Sequence, residues 1–183
     1  LLLRSKLKQL HPATGKRTFL HPVAVSMALF EQEIKAWNGA PQSIYSDHFL
    51  FQHGATGEAG FKLEVPPIHP VLGAVQLQQH GAVHQQLMLQ LKNIQATIAL
   101  VRDGFHADSV GGTVNLDDWN DPILDYPISD YIWRGLKDAL LKMAELQFAA
   151  GAKAVLPLHK EAQMYSSWHA AKTAINALTM QAL

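Results

Sequence analysis

Apolar residues recur along the chain with two different periods, and the changes of period mark out its elements. From Phe19 to Phe30 (FLHPVAVSMALF) they run almost unbroken and include β-branched residues, the composition of a buried strand. WNGAPQ supplies turn chemistry, and QSIYSDHFLF reads as a second strand. After the glycine-rich stretch QHGATGEAG, Phe61, Leu63 and Val65 alternate with Lys62 and Glu64. Alternation of this kind predicts an antiparallel strand with one face buried.

The period then lengthens. HPVLGAVQLQQHGAVHQQLMLQLKN is helical in composition, with Gly81 dividing it into two pieces. In the second piece Val83, Leu87 and Leu91 share a face. IQATIALVRD returns to a nearly continuous apolar run, a further strand. SDYIWRGLKDALLKMAELQFAAGA is the clearest helix. Ser129 stands at its N-cap, Asp130 complements the first-turn dipole, and Gly151 sits where a C-terminal cap belongs. Ile132, Leu136, Leu140, Ala144 and Phe148 form its apolar stripe. KAVLPLH is a short last strand, and Ser166 or Ser167 starts a terminal helix. Strands come in adjacent runs rather than in strict alternation with helices. The expected fold is therefore α+β, an antiparallel sheet of five or six strands with helices packed on one face.

Five aspartates fall within the seventeen residues from Val114 to Asp130, VNLDDWNDPILDYPISD. Asp118 and Asn120 have the spacing that opens a calcium loop, but the central Gly is missing and Pro122 interrupts. Asp, Asn and Pro are also the residues of tight turns. With Val114 and Leu116 before and Ile123 and Tyr126 after, residues 117–121 are expected to join two antiparallel strands without a metal.

The 183 residues suffice for one well-packed domain. Fifteen basic residues balance fifteen acidic ones, with no basic stripe, which argues against nucleic acid as a partner. No apolar run reaches the length of a transmembrane segment. The absence of cysteine excludes disulfides and thiolate chemistry. Among ten histidines, His80 and His84 have the spacing of a zinc-protease helix but lack the intervening Glu. Solvated or ordinarily bonded histidines are the expectation. GATGEAG is no dinucleotide loop, since it precedes a strand instead of opening a helix, and no G-x-S-x-G occurs. From residue chemistry alone the site stays open.

The order of segments says more. GGTVNLDD, DPILDYPISDYIWRGLKDALLKMAELQF, AAGA and VLPLH resemble, in that order, the substrate domain of the glucose-methanol-choline (GMC) flavin oxidoreductases. LHPV, APQSIYSD and GFKLE upstream are similar to its branch of long-chain alcohol oxidases and choline dehydrogenase-like enzymes. LLLRS looks like the tail of a family signature, with Lys6 where a Gly is usual.

The resemblance implies that residues 1–183 are a substrate-binding domain cut from a larger flavoenzyme, with a lead-in over 1–18 and a truncated terminal helix over 166–183. It implies oxidation of a largely apolar alcohol to an aldehyde or ketone. The FAD-binding domain would precede Leu1, and the catalytic His would follow Leu183. His159 and His169 match neither role. No FAD is expected on the isolated chain, which should be inert. The substrate wall is expected at Gln42, Tyr45, Phe61 and Glu64, with Phe105 adding aromatic surface. A cytoplasmic or membrane-peripheral location follows. Two other readings stand beside this one: a freestanding small-molecule-binding or interaction domain without redox activity, and a histidine-dependent metal protein.

Overall fold

The computed structural model describes residues 1–183 except 6, 52–56, 78, 161 and 183. Most of the glycine-rich stretch after Phe51 thus lies outside the described residues. The described residues form seven strands and four α-helices, the α+β class expected. The strands are β1 (Val23–Leu29), β2 (Tyr45–Ser46), β3 (Phe61–Glu64), β4 (Ile94–Val101), β5 (Thr113–Leu116), β6 (Pro122–Asp125) and β7 (Ala154–Pro157). The helices are α1 (Pro70–Gln76), α2 (Gly81–Leu89), α3 (Asp130–Ala149) and α4 (Trp168–Ala177).

Five strands make one antiparallel sheet in the order β2-β3-β4-β1-β7, and β5 and β6 make a separate hairpin. β1 pairs with β4 along the whole length of β1, from Val23 opposite Leu100 to Leu29 opposite Ile94. This register sends alternate residues to two different cores. Ala24 and Ala28 of β1, with Phe61, Leu63, Ala99, Val101 and Val155, meet α3 and α4 in the larger core. Met27, with Ile94, Ala96 and Leu156, meets Ile68, Leu77, Leu87 and Leu91 around α1 and α2 in the smaller. The long helices do pack on one face, as expected. The two short ones add a partial layer against the other face, because Met27, Ile94 and Ala96 on that face are apolar too.

α3 is held to the sheet by a buried polar link as well as by its apolar stripe. Ser26 donates to the Gln147 side-chain carbonyl at 2.6 Å, and the Gln147 amide donates to Ser26 O and to the Gln95 side chain, each at 3.0 Å. A glutamine in the middle of a core face is tolerated because every polar atom it buries is answered. The ends of α3 match the sequence reading. Ser129 Oγ accepts from Ile132 N–H, and Gly151, at φ +93°, lets Ala152 N–H reach back to Gln147 O.

Three elements differ from expectation. The strand read over QSIYSDHFLF is only Tyr45–Ser46, since Asp47–Leu50 closes a turn with Leu50 N–H on Asp47 O. Val83 is exposed rather than sharing a buried face with Leu87 and Leu91. The helix read over 166–183 ends at Ala177, where Leu178 turns to extended backbone, and a 3-10 turn follows at Met180–Ala182. The hairpin over residues 117–121 is as read. The Asp117 side chain accepts from Trp119 and Asp121 N–H, and Asn120 takes the left-handed φ of +65° that such turns use.

Candidate functional site: the open face of the sheet

Face alternation decides which side chains can meet a ligand. α3 and α4 close one face of the sheet. On the other, α1 and α2 cover the end toward Ile94, and the rest is half-buried at Val25 and Ile98 and exposed at Tyr45, with Glu64 buried between them. Two surfaces of opposite chemistry lie there.

The first is an apolar groove of about 170 Å³ floored by Val25, Met27, Ala96 and Ile98. Pro66, Pro67, Ile68, Leu72 and the polar Gln76 form its wall. Its floor is the crossing of β1 and β4, where Val25 pairs with Ile98 and Met27 with Ala96. The second is a polar group at the neighbouring sheet edge. Glu64 pairs across the sheet with Ile98 on one side and Tyr45 on the other. It is buried and bonded to Lys62, Nζ to Oε1, at 2.7 Å. Lys62 Nζ stands 4.4 Å from the centre of the Tyr45 ring. The Glu64 hydrogen bond holds the Lys62 ammonium above its ordinary pKa, so the pair carries opposite charges and no net one.

No family model matches the chain. Two curated relatives do: uncharacterized GMC-type oxidoreductases of Mycobacterium tuberculosis, strains CDC 1551 / Oshkosh and ATCC 25618 / H37Rv. Each is 30% identical over 156 residues, 85% of this chain and 23% of the relative. The chain belongs to the GMC-type oxidoreductases. It spans less than a quarter of the length of the relatives it matches.

In this GMC-type segment the four expected wall residues do not share a wall. Tyr45 and Glu64 stand together on the open face. Phe61 does not, because it is three residues from Glu64 on the same strand and an odd separation puts it on the opposite face. It is 1% exposed beneath α3, stacked on Phe49 at 5.0 Å. There it borders a separate hollow of about 250 Å³ with Glu58, Arg134 and Asp138. Gln42 is on no strand: it sits exposed in a turn at φ +52°, beside a hollow of about 180 Å³ that Ser43 and Ile44 help to line. Phe105 is exposed at the far end of β4, where Arg102 stacks over it 5.3 Å from the ring centre. The groove residues Val25, Met27, Ala96 and Ile98 went unread as a site. Their signal was the second set of apolar alternates on β1 and β4, which a buried strand also shows.

One histidine of the pair has a structural task. His84 Nε2 lies 2.9 Å from Ala74 O and ties α2 to α1. Among the described residues no group of three or more His, Asp or Glu could hold a metal ion, and no helix is long and apolar enough to cross a membrane.

A polar latch escaped the sequence altogether. The Tyr126 hydroxyl, just after β6, donates to Asp103 after β4 and accepts from Leu20 N–H at 3.2 Å. Burial first, then the Asp103 carboxylate, pushes the Tyr126 phenol up to about 12. A raised folded-state pKa means that the folded chain keeps a proton the unfolded chain loses. The stabilisation is complete below the unfolded value of about 10 and is lost as pH rises from about 10 to about 12. Denaturant midpoints at about pH 9 and about pH 11 should fall further for the wild type than for Tyr126→Phe; equal falls would show that the latch does not titrate.

Proposed function

We propose that this chain contributes the substrate-binding wall of an FAD-dependent oxidoreductase that converts an alcohol to an aldehyde or ketone. The observation that carries the reading is the 30% identity to GMC-type oxidoreductases across 85% of the chain. The open sheet face supports it, with an uncharged groove for substrate carbon beside a neutralised polar edge at Tyr45, Lys62 and Glu64. Of the four expected wall residues, Tyr45 and Glu64 are retained, Gln42 is a rim residue, and Phe61 belongs to the core.

FAD does not fit the described residues. A dinucleotide cradle needs a strand that runs through a glycine-rich turn into a helix N-terminus. Among the described residues α3 is reached from β6 through Tyr126–Pro127–Ile128, and α4 from β7 through 158–167, neither glycine-rich. The cofactor would be held by other parts of the whole protein, and this chain would supply shape and exclusion of water at the substrate.

Spectroscopy separates the two halves of the proposal. The isolated chain mixed with FAD should give no protein-dependent spectral shift. The full-length protein should be yellow and should bleach anaerobically when an alcohol is added. A stoichiometric flavin on the isolated chain would overturn the domain assignment. A full-length flavoprotein that no alcohol reduces would overturn the activity.

A further inference from the structure

We propose that the β5–β6 hairpin is a self-association surface, in which Trp119 of one copy of the chain enters a hollow beside β5 of a second copy, and the reverse.

The hairpin stands apart from the five-stranded sheet, and a two-stranded ribbon is marginally stable unless something covers it. The lead-in over residues 1–18 covers part of it. Val114 N–H bonds Gly15 O at 2.7 Å, Thr18 bridges to Gly112, and Arg4 donates to Asn120 O and to the Asp121 carboxylate. Beyond that contact apolar side chains stand in solvent. Ile123 and Leu124 are exposed, and Trp119 at the tip is 86% exposed. Its backbone is fixed, since the Asp117 carboxylate accepts from Trp119 N–H at 2.9 Å and from Asp121 N–H at 2.7 Å. An exposed tryptophan on a rigid turn is the kind of anchor that dominates interface energetics.

The chain itself offers what the anchor needs. An open hollow of about 310 Å³ lies where the lead-in meets β5. Leu1, Leu2, Leu3 and Val114 give it apolar walls, and Leu124, opposite Val114 in the hairpin, continues that face. Thr14 and Thr18 also line it, and their hydroxyls can accept the indole N–H, which needs a partner once buried.

Charge selects the occupant. Asp117, Asp118, Asp121 and Asp125 flank Trp119, and no Lys or Arg occurs from Asp103 to Trp133. An anionic lipid surface or a nucleic acid would repel such a tip, whereas a hollow with a basic rim would attract it. Residues 1–30 hold Arg4, Lys6, Lys8, Lys16 and Arg17 and no Asp or Glu. Lys16 and Arg17 are exposed and follow directly on Gly15, which lines the hollow. Within one copy, among the described residues, Arg4–Asp121 is the ion pair between the two blocks, and Lys8, Lys16, Asp118 and Asp125 form none. The tip cannot reach its own hollow, because Trp119 is five residues along the hairpin from Val114, roughly 15 Å. Two hairpins laid antiparallel across a twofold axis place each Trp119 over the other's hollow and each Asp118 beside the other's Lys16. One contact made twice is the form that a closed dimer takes.

The test is the mass of the full-length protein, by sedimentation velocity across a dilution series. The wild type should be a dimer that dissociates on dilution and more readily in high salt. Trp119→Ala should raise the dissociation constant by about 30-fold or more. Val71→Gln, at an apolar position of α1 that is 79% exposed, should leave it unchanged. Lys16→Glu and Asp118→Lys should each weaken the dimer on the order of 10-fold, since each sets like charges face to face twice. Mixed together, these two variants should form a heterodimer about as tight as the wild type, because both contacts then join opposite charges. The readout is mass, so the result does not depend on the alcohol-oxidising reading. A wild type that stays monomeric, a dimer that Trp119→Ala leaves intact, or a mixture of the two charge variants that stays weak would each overturn the proposal.

Discussion

Gly60→Ala should destabilise the chain by about 3 kcal/mol or more, at the upper end of what overpacking does. A Cβ built on Gly60 would lie 2.1 Å from Leu50 O, 2.7 Å from Leu50 C and 2.8 Å from Phe49 O. All three are backbone atoms, so no side chain can swing aside. The backbone around them is also committed. Phe61 N–H bonds Phe49 O at 3.3 Å, and Arg102 N–H bonds Gly60 O at 2.8 Å. Relief would require the turn at Asp47–Leu50 to lift off β3, which would loosen the edge that carries Tyr45 and Glu64. Gly151→Ala is the contrast. It has open space but φ +93°, and should lose only about 1 kcal/mol through backbone strain. Urea midpoints of the two variants decide the matter: equal shifts would mean that the close approach at Gly60 relaxes without loss.

Leu140→Ala should cost about 4 kcal/mol, in the upper half of the range for emptied core sites. Leu140 lies in the middle of α3 with no exposure, among core residues that include Ala139, Met143 and Ala144, also at 0%. The rigid sheet beneath it leaves little scope for collapse into the void. Leu146, on the same helix but 48% exposed, should tolerate alanine with a change of about 0.5 kcal/mol or less. Denaturation of both variants by urea tests the contrast. A small shift for Leu140→Ala would mean that α3 can settle onto the sheet, and the Ser26–Gln147 link would then be the firmer anchor of the two.

α3 was readable in full because all its determinants are local. Its stripe from Ile132 to Ala144, its Ser129 cap and its Gly151 terminus sit within one stretch of chain. The hairpin was readable for the same reason, since Asp117 satisfies its own turn from two and four residues away. The branch point at Gly81 between α1 and α2 also followed from one residue's low helix propensity. The second strand failed where local chemistry and tertiary pairing diverge. Tyr45–Ser46 is an edge strand with a single partner, and the residues after it find their hydrogen bonds within a turn.

The candidate site was legible only in outline. Tyr45 and Glu64 were named, but so was Phe61, and no reading of one strand can say which of its two faces a neighbouring helix will cover. That choice was made when α3 docked on Phe61, Leu63, Ala99 and Val101, leaving Glu64 and Ile98 to the other side. β1 and β4 are apolar along Val25, Met27, Ile94, Ala96 and Ile98 and mixed along Ser26, Gln95 and Thr97, the set toward α3, so their pattern could not reveal that α1 and α2 cover one end and leave a groove at the other. The Tyr126–Asp103 contact joins residues 23 positions apart through the placement of a hairpin against a sheet. What the sequence determined by itself was the kind and order of the elements and the family, because periodicity, caps and turn residues act over a few positions and segment order persists along the chain. What only the tertiary structure decided was which face is open, where the groove runs and which polar groups meet. Those depend on the packing of distant segments, and no local interaction encodes it.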